Sequence, residues 1–142
     1  MGAVLAIDVG TKKTGFAVAD ALRIIAQPLD GVRAGEDDPE LLEHIAELLD
    51  ERDVATFLVG LPRNMDGTEG GRAEAVRAFA ARLALRFPRV AIVTWDERLT
   101  TKAAEELLRE AGYGGRAAKE RKDSWSALVL LRDWMESGEP RA

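Results

Sequence analysis

The chain has 142 residues, 46% of them hydrophobic, with no cysteine and a single histidine, His44. That length suits one domain able to bury roughly 70% of its unfolded surface. The composition excludes a disulfide framework, a thiolate zinc site and a cysteine nucleophile. No unbroken apolar run exceeds five residues, as in Ala127 to Leu131, far short of the roughly 20 that a membrane span needs, and no signal-type segment precedes Asp8. A cytoplasmic protein is expected. The 20 basic and 25 acidic residues give a net charge of −5. Residues 36–53 alone carry −8, through nine acids against Arg52, and the other 124 residues sum to +3. Exposed charges more than about 10 Å apart are largely screened at 0.1 M salt, so a basic face for a polyanion remains open.

In chain order, AVLAIDV (3–9) and TGFAVAD (14–20) are two short apolar runs joined by Gly10-Thr11-Lys12-Lys13, which predicts a hairpin. A third strand is expected from Ile24 to Leu29, before the turn signal Asp30-Gly31. Asp38-Pro39 marks a helix start, with Asp as N-cap and Pro at the first position, followed by Leu41, Leu42, Ile45, Leu48 and Leu49 at helical spacing. Val54 to Val59 reads as a strand ended by Gly60-Leu61-Pro62. Val76, Phe79, Leu83 and Phe87 mark a second helix, and Val90 to Trp95 a fifth strand. Thr100 or Thr101 is the expected cap of a third helix, stopped by Gly112. Residues 112–122 read as a Gly-rich basic loop, and Ser124 to Met135 as a largely buried final helix. The order βββαβαβαα predicts an α/β fold. It consists of a mixed five-stranded sheet, with three antiparallel strands followed by β-α-β crossovers, and helices on both faces. No linker divides residues 1–142, so one domain is expected.

Acidic residues close or open several of these elements. Asp8 ends the first strand, Asp96 and Glu97 end the fifth, and Asp123 is expected to open the last helix, where a helix N-terminus favours negative charge. Each could serve merely as a cap or a solvated turn residue. Strand ends are also where loops from different parts of an α/β sheet converge. Three carboxylates meeting there would need protons or cations to be stable. Hard divalent ions suit oxygen ligands, and a pair of them supports phosphodiester hydrolysis. The GxxxxG spacing of Gly10 to Gly15 is not a P-loop, because Phe16-Ala17 follow where Lys and Ser or Thr are needed. Asp8-x-Gly-Thr-Lys is also similar to the first phosphate loop of the actin and hexokinase superfamily, which the chain length excludes.

Four ordered motifs resemble one family. They are Ile7-Asp8-Val9-Gly10-Thr11-Lys12-Lys13-Thr14-Gly15 with Ala17-Val18, Val59-Gly60-Leu61-Pro62-Arg63-Asn64-Met65-Asp66-Gly67-Thr68, Asp96-Glu97-Arg98-Leu99-Thr100-Thr101 with Ala104-Glu105, and Lys122-Asp123-Ser124 with Ala127. Together they resemble the YqgF/RuvX family of pre-16S rRNA nucleases, also described as Holliday-junction-resolvase-like. The resemblance implies an RNase H-like fold and a metal-dependent nuclease that matures the 5′ end of precursor 16S rRNA. It also implies that Asp8, Glu97 and Asp123 are the catalytic, metal-binding carboxylates for Mg²⁺ or Mn²⁺. Asp96 competes with Glu97, and alternation along Val90–Trp95 does not separate them. Lys13 stands where many members carry Arg or Ser.

Lys12, Lys13, Arg63, Asn64, Arg98 and Lys122 lie in or beside the motif loops and are candidate substrate contacts. Arg116, Lys119, Arg121 and Lys122 form a basic run before Asp123. His44 and the three tryptophans read as structural, and Tyr113 as a base-stacking candidate. Two other functions compete with the processing nuclease. One is a junction resolvase acting on branched DNA, which would be a two-fold homodimer rather than a monomer. The other is a non-catalytic RNA-binding factor.

Overall fold

The computed structural model describes residues 2–141. Five strands, β1 (Ala3–Val9), β2 (Thr14–Ala19), β3 (Ala26–Val32), β4 (Val54–Leu61) and β5 (Ala91–Asp96), form one sheet in the order β3-β2-β1-β4-β5. The helices are α1 (Pro39–Asp50), α2 (Gly71–Arg86), α3 (Thr100–Glu110) and α4 (Gly115–Glu136). The β1–β2 and β2–β3 pairs are antiparallel, and β1–β4 and β4–β5 are parallel. This is the expected meander followed by two crossovers.

Strand alternation divides the core. Leu5, Ile7 and Val9 of β1 face α1 and α2, joining Leu41, Ile45, Val76, Phe79 and Leu83. Val4 and Ala6 face the other way, onto Ala127, Leu130, Leu131 and Trp134 of α4. The side chain of Asp8 shares the parity of Val4 and Ala6, so it belongs to the α4 face. Among the described residues no helix is long and apolar enough to cross a membrane.

Several local expectations need correction. The β3 strand begins at Ala26 rather than Ile24, because a hairpin turn consumes the residues before it. The Asp20 carboxylate accepts from Ile25 N–H at 2.9 Å, and Ile24 and Ile25 lie exposed. Pro28 is accommodated because β3 is an edge strand, paired only with β2. The β4 strand runs through Gly60 to Leu61 instead of stopping at Val59. Leu99, rather than a threonine, caps α3, and Thr100 Oγ1 donates back to the Glu97 carbonyl at 3.0 Å.

The largest difference concerns the basic segment. Residues 115–122 are helical and form the first two turns of α4. Ala, Lys, Glu and Arg are strong helix formers even without apolar periodicity, which the sequence pattern had required. Asp123 therefore lies in the third turn of α4, and the N-terminal dipole does not explain its position.

Candidate active site

The site lies at the carboxyl ends of β1, β4 and β5, on the α4 face. Parity places Asp8 there from β1. It places Glu97 there too, because Val93 and Trp95 pack on the α4 side and Glu97 continues their alternation. Asp96 has the opposite parity, that of Ile92, which packs on the α1 and α2 side. Its carboxylate is held by Arg98, accepting from the backbone N–H at 2.9 Å and from Nε at 2.8 Å. Of the two adjacent acids, the fold brings Glu97 and not Asp96 to Asp8.

Asp8 and Glu97 come from strands that are not neighbours, since β4 lies between β1 and β5. Adjacent strands are about 4.8 Å apart, so the two side chains must reach toward each other across β4 over about 10 Å. The β4 residue beneath them is Gly60. A Cβ built there would lie 2.6 Å from Glu97 Oε2 and 3.0 Å from its Cδ. Glycine in a strand interior weakens the strand, and here its missing side chain is the space that the Glu97 carboxyl occupies.

The two carboxyl groups are hydrogen-bonded to each other. Burial raises the pKa of Asp8 to about 6. The charge of Asp123 adds to the rise, while the bond to Glu97, Lys122 and Arg72 oppose it. Burial, then the charge of Asp8 and the bond to it, push Glu97 to about 9. Two carboxyls this close do not both ionise readily, and near neutral pH the pair retains a proton.

Asp123 belongs to the same end of the molecule. Its backbone presses on β2 at Gly15, where a Cβ would collide with the Asp123 carbonyl group. The next residue, Ser124, accepts from Phe16 N–H at 3.1 Å and fixes the helix against the strand. The Asp123 carboxylate lies 3.7 Å from Lys13 Nζ. Among the described residues no three acidic or histidine side chains converge closely enough to hold one ion. Asp8 and Glu97 are in contact, with Asp123 beside them and engaged by Lys13. The donor set is all oxygen, half-buried and short of positive charge, which fits a hard divalent cation.

Sequence reasoning missed Arg72. From the first turn of α2 it holds the buried Glu36 through both guanidinium nitrogens, and its field lowers the pKa of both Asp8 and Glu97. Nothing in its spacing signals this role, because the contact is made only when α2 docks over β1. The Gly60 role had a signal, a glycine inside an apolar strand-like run.

The expected substrate contacts are distributed unevenly. Lys12 and Lys13 are exposed on the β1–β2 turn, and Lys122 lies close enough to Asp8 to lower its pKa. Arg63 is 3.8 Å from Glu69, Arg98 is committed to Asp96, and Asn64 donates to Thr68 Oγ1 at 2.9 Å. Of the three tryptophans, only Trp134 is fully buried. Trp95 is half-buried and donates to Asp133 at 2.7 Å. Tyr113 meets Trp125 edge-on at 6.0 Å, and the Arg121 guanidinium lies 4.4 Å from its ring centre. His44 packs against Phe16 at 5.3 Å, as a structural residue would.

The fold is similar to that of Thermus thermophilus RuvC bound to a Holliday junction, with a TM-score of 0.59, 16% identity and 99% coverage of each chain. It is also similar to the fowlpox virus resolvase in complex with junction DNA, with a TM-score of 0.58, 9% identity and 97% and 99% coverage. Together with the sequence relatives, this sheet defines a nuclease of the RNase H-like class. A Geobacillus protein named "putative pre-16S rRNA nuclease" is 40% identical over 94% of this chain and 97% of its own. A protein of the same name from Halalkalibacterium halodurans is 42% identical over 93% and 94%. The chain belongs to the RuvX family, whose model, described as Holliday junction resolvase, matches residues 2–137.

Proposed function

We propose that this chain is a cytoplasmic, divalent-metal-dependent nuclease that hydrolyses phosphodiester bonds in precursor 16S rRNA, trimming its 5′ end during ribosome biogenesis. It works as one domain over residues 1–142. The observation that carries this reading is the Asp8–Glu97 pair, two carboxyls brought together over Gly60 and offset only by the fields of Arg72 and Lys122. The names of its 35–42% identical relatives support the RNA substrate.

Asp8, Glu97 and Asp123 would hold Mg²⁺ or Mn²⁺, which supplies Lewis acidity for attack of water on the phosphodiester. Gly60 leaves the space that lets Glu97 lie against Asp8. Arg72, fixed by Glu36, adds positive charge beside the pair without contacting either carboxylate. Lys12, Lys13 and Lys122 attract and orient the scissile phosphate as point charges. Arg63, Asn64 and Arg98 border the opposite side, with both arginines already near an acid.

The test is cleavage of a 5′-extended 16S precursor fragment and of a four-way DNA junction by the wild type and by Asp8→Asn, each with Mn²⁺ and with Mg²⁺. Metal-dependent cutting of the RNA by the wild type alone is expected. Symmetric paired cuts in the junction alone would assign the chain to junction resolution. RNA binding by both proteins without cutting would make it a binding factor. In the same assay Glu97→Gln should lose cleavage at least about 100-fold, whereas Asp96→Asn should retain most of it. The reverse result would transfer the role to Asp96.

A further inference from the structure

An open groove runs from Asp123 between the start of β2 with the end of β3 and the first turns of α4, lined by Lys13, Arg33, Arg116, Lys119, Glu120 and Asp123. On α4, positions 116, 119, 120 and 123 fall on one helical face. On this face the acids Glu120 and Asp123 lie nearer the carboxylate pair, and the cations Arg116 and Lys119 farther along the helix from it. From 116 to 123 the helix rises about 10 Å, roughly the length of three stacked nucleotides.

The cations here differ in kind from those on the far side of the site. Arg63 lies 3.8 Å from Glu69, and Arg98 is bound to Asp96. Among the described residues, Arg33, Arg116 and Lys119 form no salt bridge, while Lys13 lies 3.7 Å from Asp123. Unpaired cations in a concave surface concentrate anions, whereas a guanidinium already held by a carboxylate contributes little new field. The groove is also continuous with the candidate active site through Asp123.

We propose that this groove holds the phosphodiester backbone of the substrate strand beside the scissile position, with Arg33, Arg116 and Lys119 each taking one phosphate. The assignment rests on the nuclease reading and adds to it the side from which the strand enters, along α4 and past the start of β2 and the end of β3 rather than past Arg63 and Arg98. An acidic protein segment would find the same charges. Continuity with the carboxylate pair favours a nucleic-acid strand.

The test is fluorescence anisotropy with a short labelled single-stranded RNA, in EDTA so that no cleavage intervenes, over a series of KCl concentrations. The full chain is compared with the triple variant R33A/R116A/K119A and with R77A/R86A, whose guanidiniums are paired with Glu69 and Glu43. Each lost single-strand phosphate contact lowers the slope of log Kobs against log[salt] by about 0.7, so the triple variant should lose about 2. R77A/R86A should match the parent. A triple variant with the parent's slope and affinity would overturn the assignment, as would an equal loss in R77A/R86A. If that unchanged triple variant belongs to a parent that binds and cuts RNA, only the groove falls. A parent that binds no RNA overturns the groove and the processing reading together.

Discussion

Gly60→Ala should lower the cleavage rate about 100-fold, the order expected when a catalytic group is misplaced by about 1 Å. Its melting temperature should remain within about 3 °C of the parent. The new methyl group would lie 2.6 Å from Glu97 Oε2 and 3.0 Å from its Cδ, with Leu130 Cδ2 next at 3.2 Å. The atoms that must yield are the end of a flexible side chain, so little stability is lost. An alanine in a strand interior also recovers some of the backbone entropy that glycine forfeits. The same displacement moves the Glu97 carboxyl off Asp8, and activity falls. A double-mutant cycle separates this from general damage. Because Gly60→Ala acts through Glu97, it should cost almost nothing further in the Glu97→Gln background. Full activity in Gly60→Ala would refute the space-making role, and so would activity lost in step with the melting temperature.

In EDTA, the wild type should lose stability as pH rises from about 6 to about 9, and Asp8→Asn should melt higher than the wild type at the alkaline end. The sign follows from the direction of the shifts. Both carboxyls have folded pKa values raised above their ordinary range, to about 6 and about 9, chiefly by burial. At this pair the folded state thus binds more protons than the unfolded chain across that window, whereas the lowered carboxyls of Glu36, Glu43, Asp66 and Glu69 act oppositely only at its acid end. The stabilisation is complete below the unfolded values and disappears as pH rises through the folded ones. Replacing Asp8 by Asn removes one of the two charges forced together, so the variant should show a flatter profile. Each kcal/mol relieved corresponds to roughly 3–5 °C in a domain of this size. Divalent cations should reverse the order at alkaline pH, stabilising the wild type and leaving Asp8→Asn nearly unmoved. Equal stabilisation of both proteins by Mn²⁺ would place the ion elsewhere, and parallel pH profiles in EDTA would mean that the pair is not the source of the strain.

These two experiments address different parts of one arrangement. The first concerns the steric room that brings the carboxyls together, and the second the electrostatic cost of keeping them so. A fold whose own stability suffers from its acidic pair holds an obvious thermodynamic gradient for cation binding. Arg72 reduces that cost only in part, because Glu36 already claims its guanidinium.

Much of the architecture was legible in the residues. Short continuous apolar runs at 3–9 and 14–20, the Asp38-Pro39 start and the spacing of Val76, Phe79 and Leu83 indicated the order of elements, and with it the mixed sheet. These signals are local, and they survive because each element buries a face whose period appears in the chain. The first turns of α4 escaped detection for the complementary reason. Residues 115–122 carry helix propensity without a buried stripe, so a composition of Gly, Lys and Arg read as a loop.

The acidic residues at strand ends were likewise visible, as were the motifs that tie the chain to its family. Alternation within each strand was already fixed by the sequence, so Glu97 had to share a face with Val93 and Asp96 with Ile92. What one strand cannot specify is which of its faces meets α4, or that β4 comes between β1 and β5. Those are properties of packing among segments far apart in the chain. Only the assembled sheet decided that Glu97 reaches Asp8 over Gly60, that Arg72 lends its field from α2, and that Arg33 joins Arg116 and Lys119 across a groove.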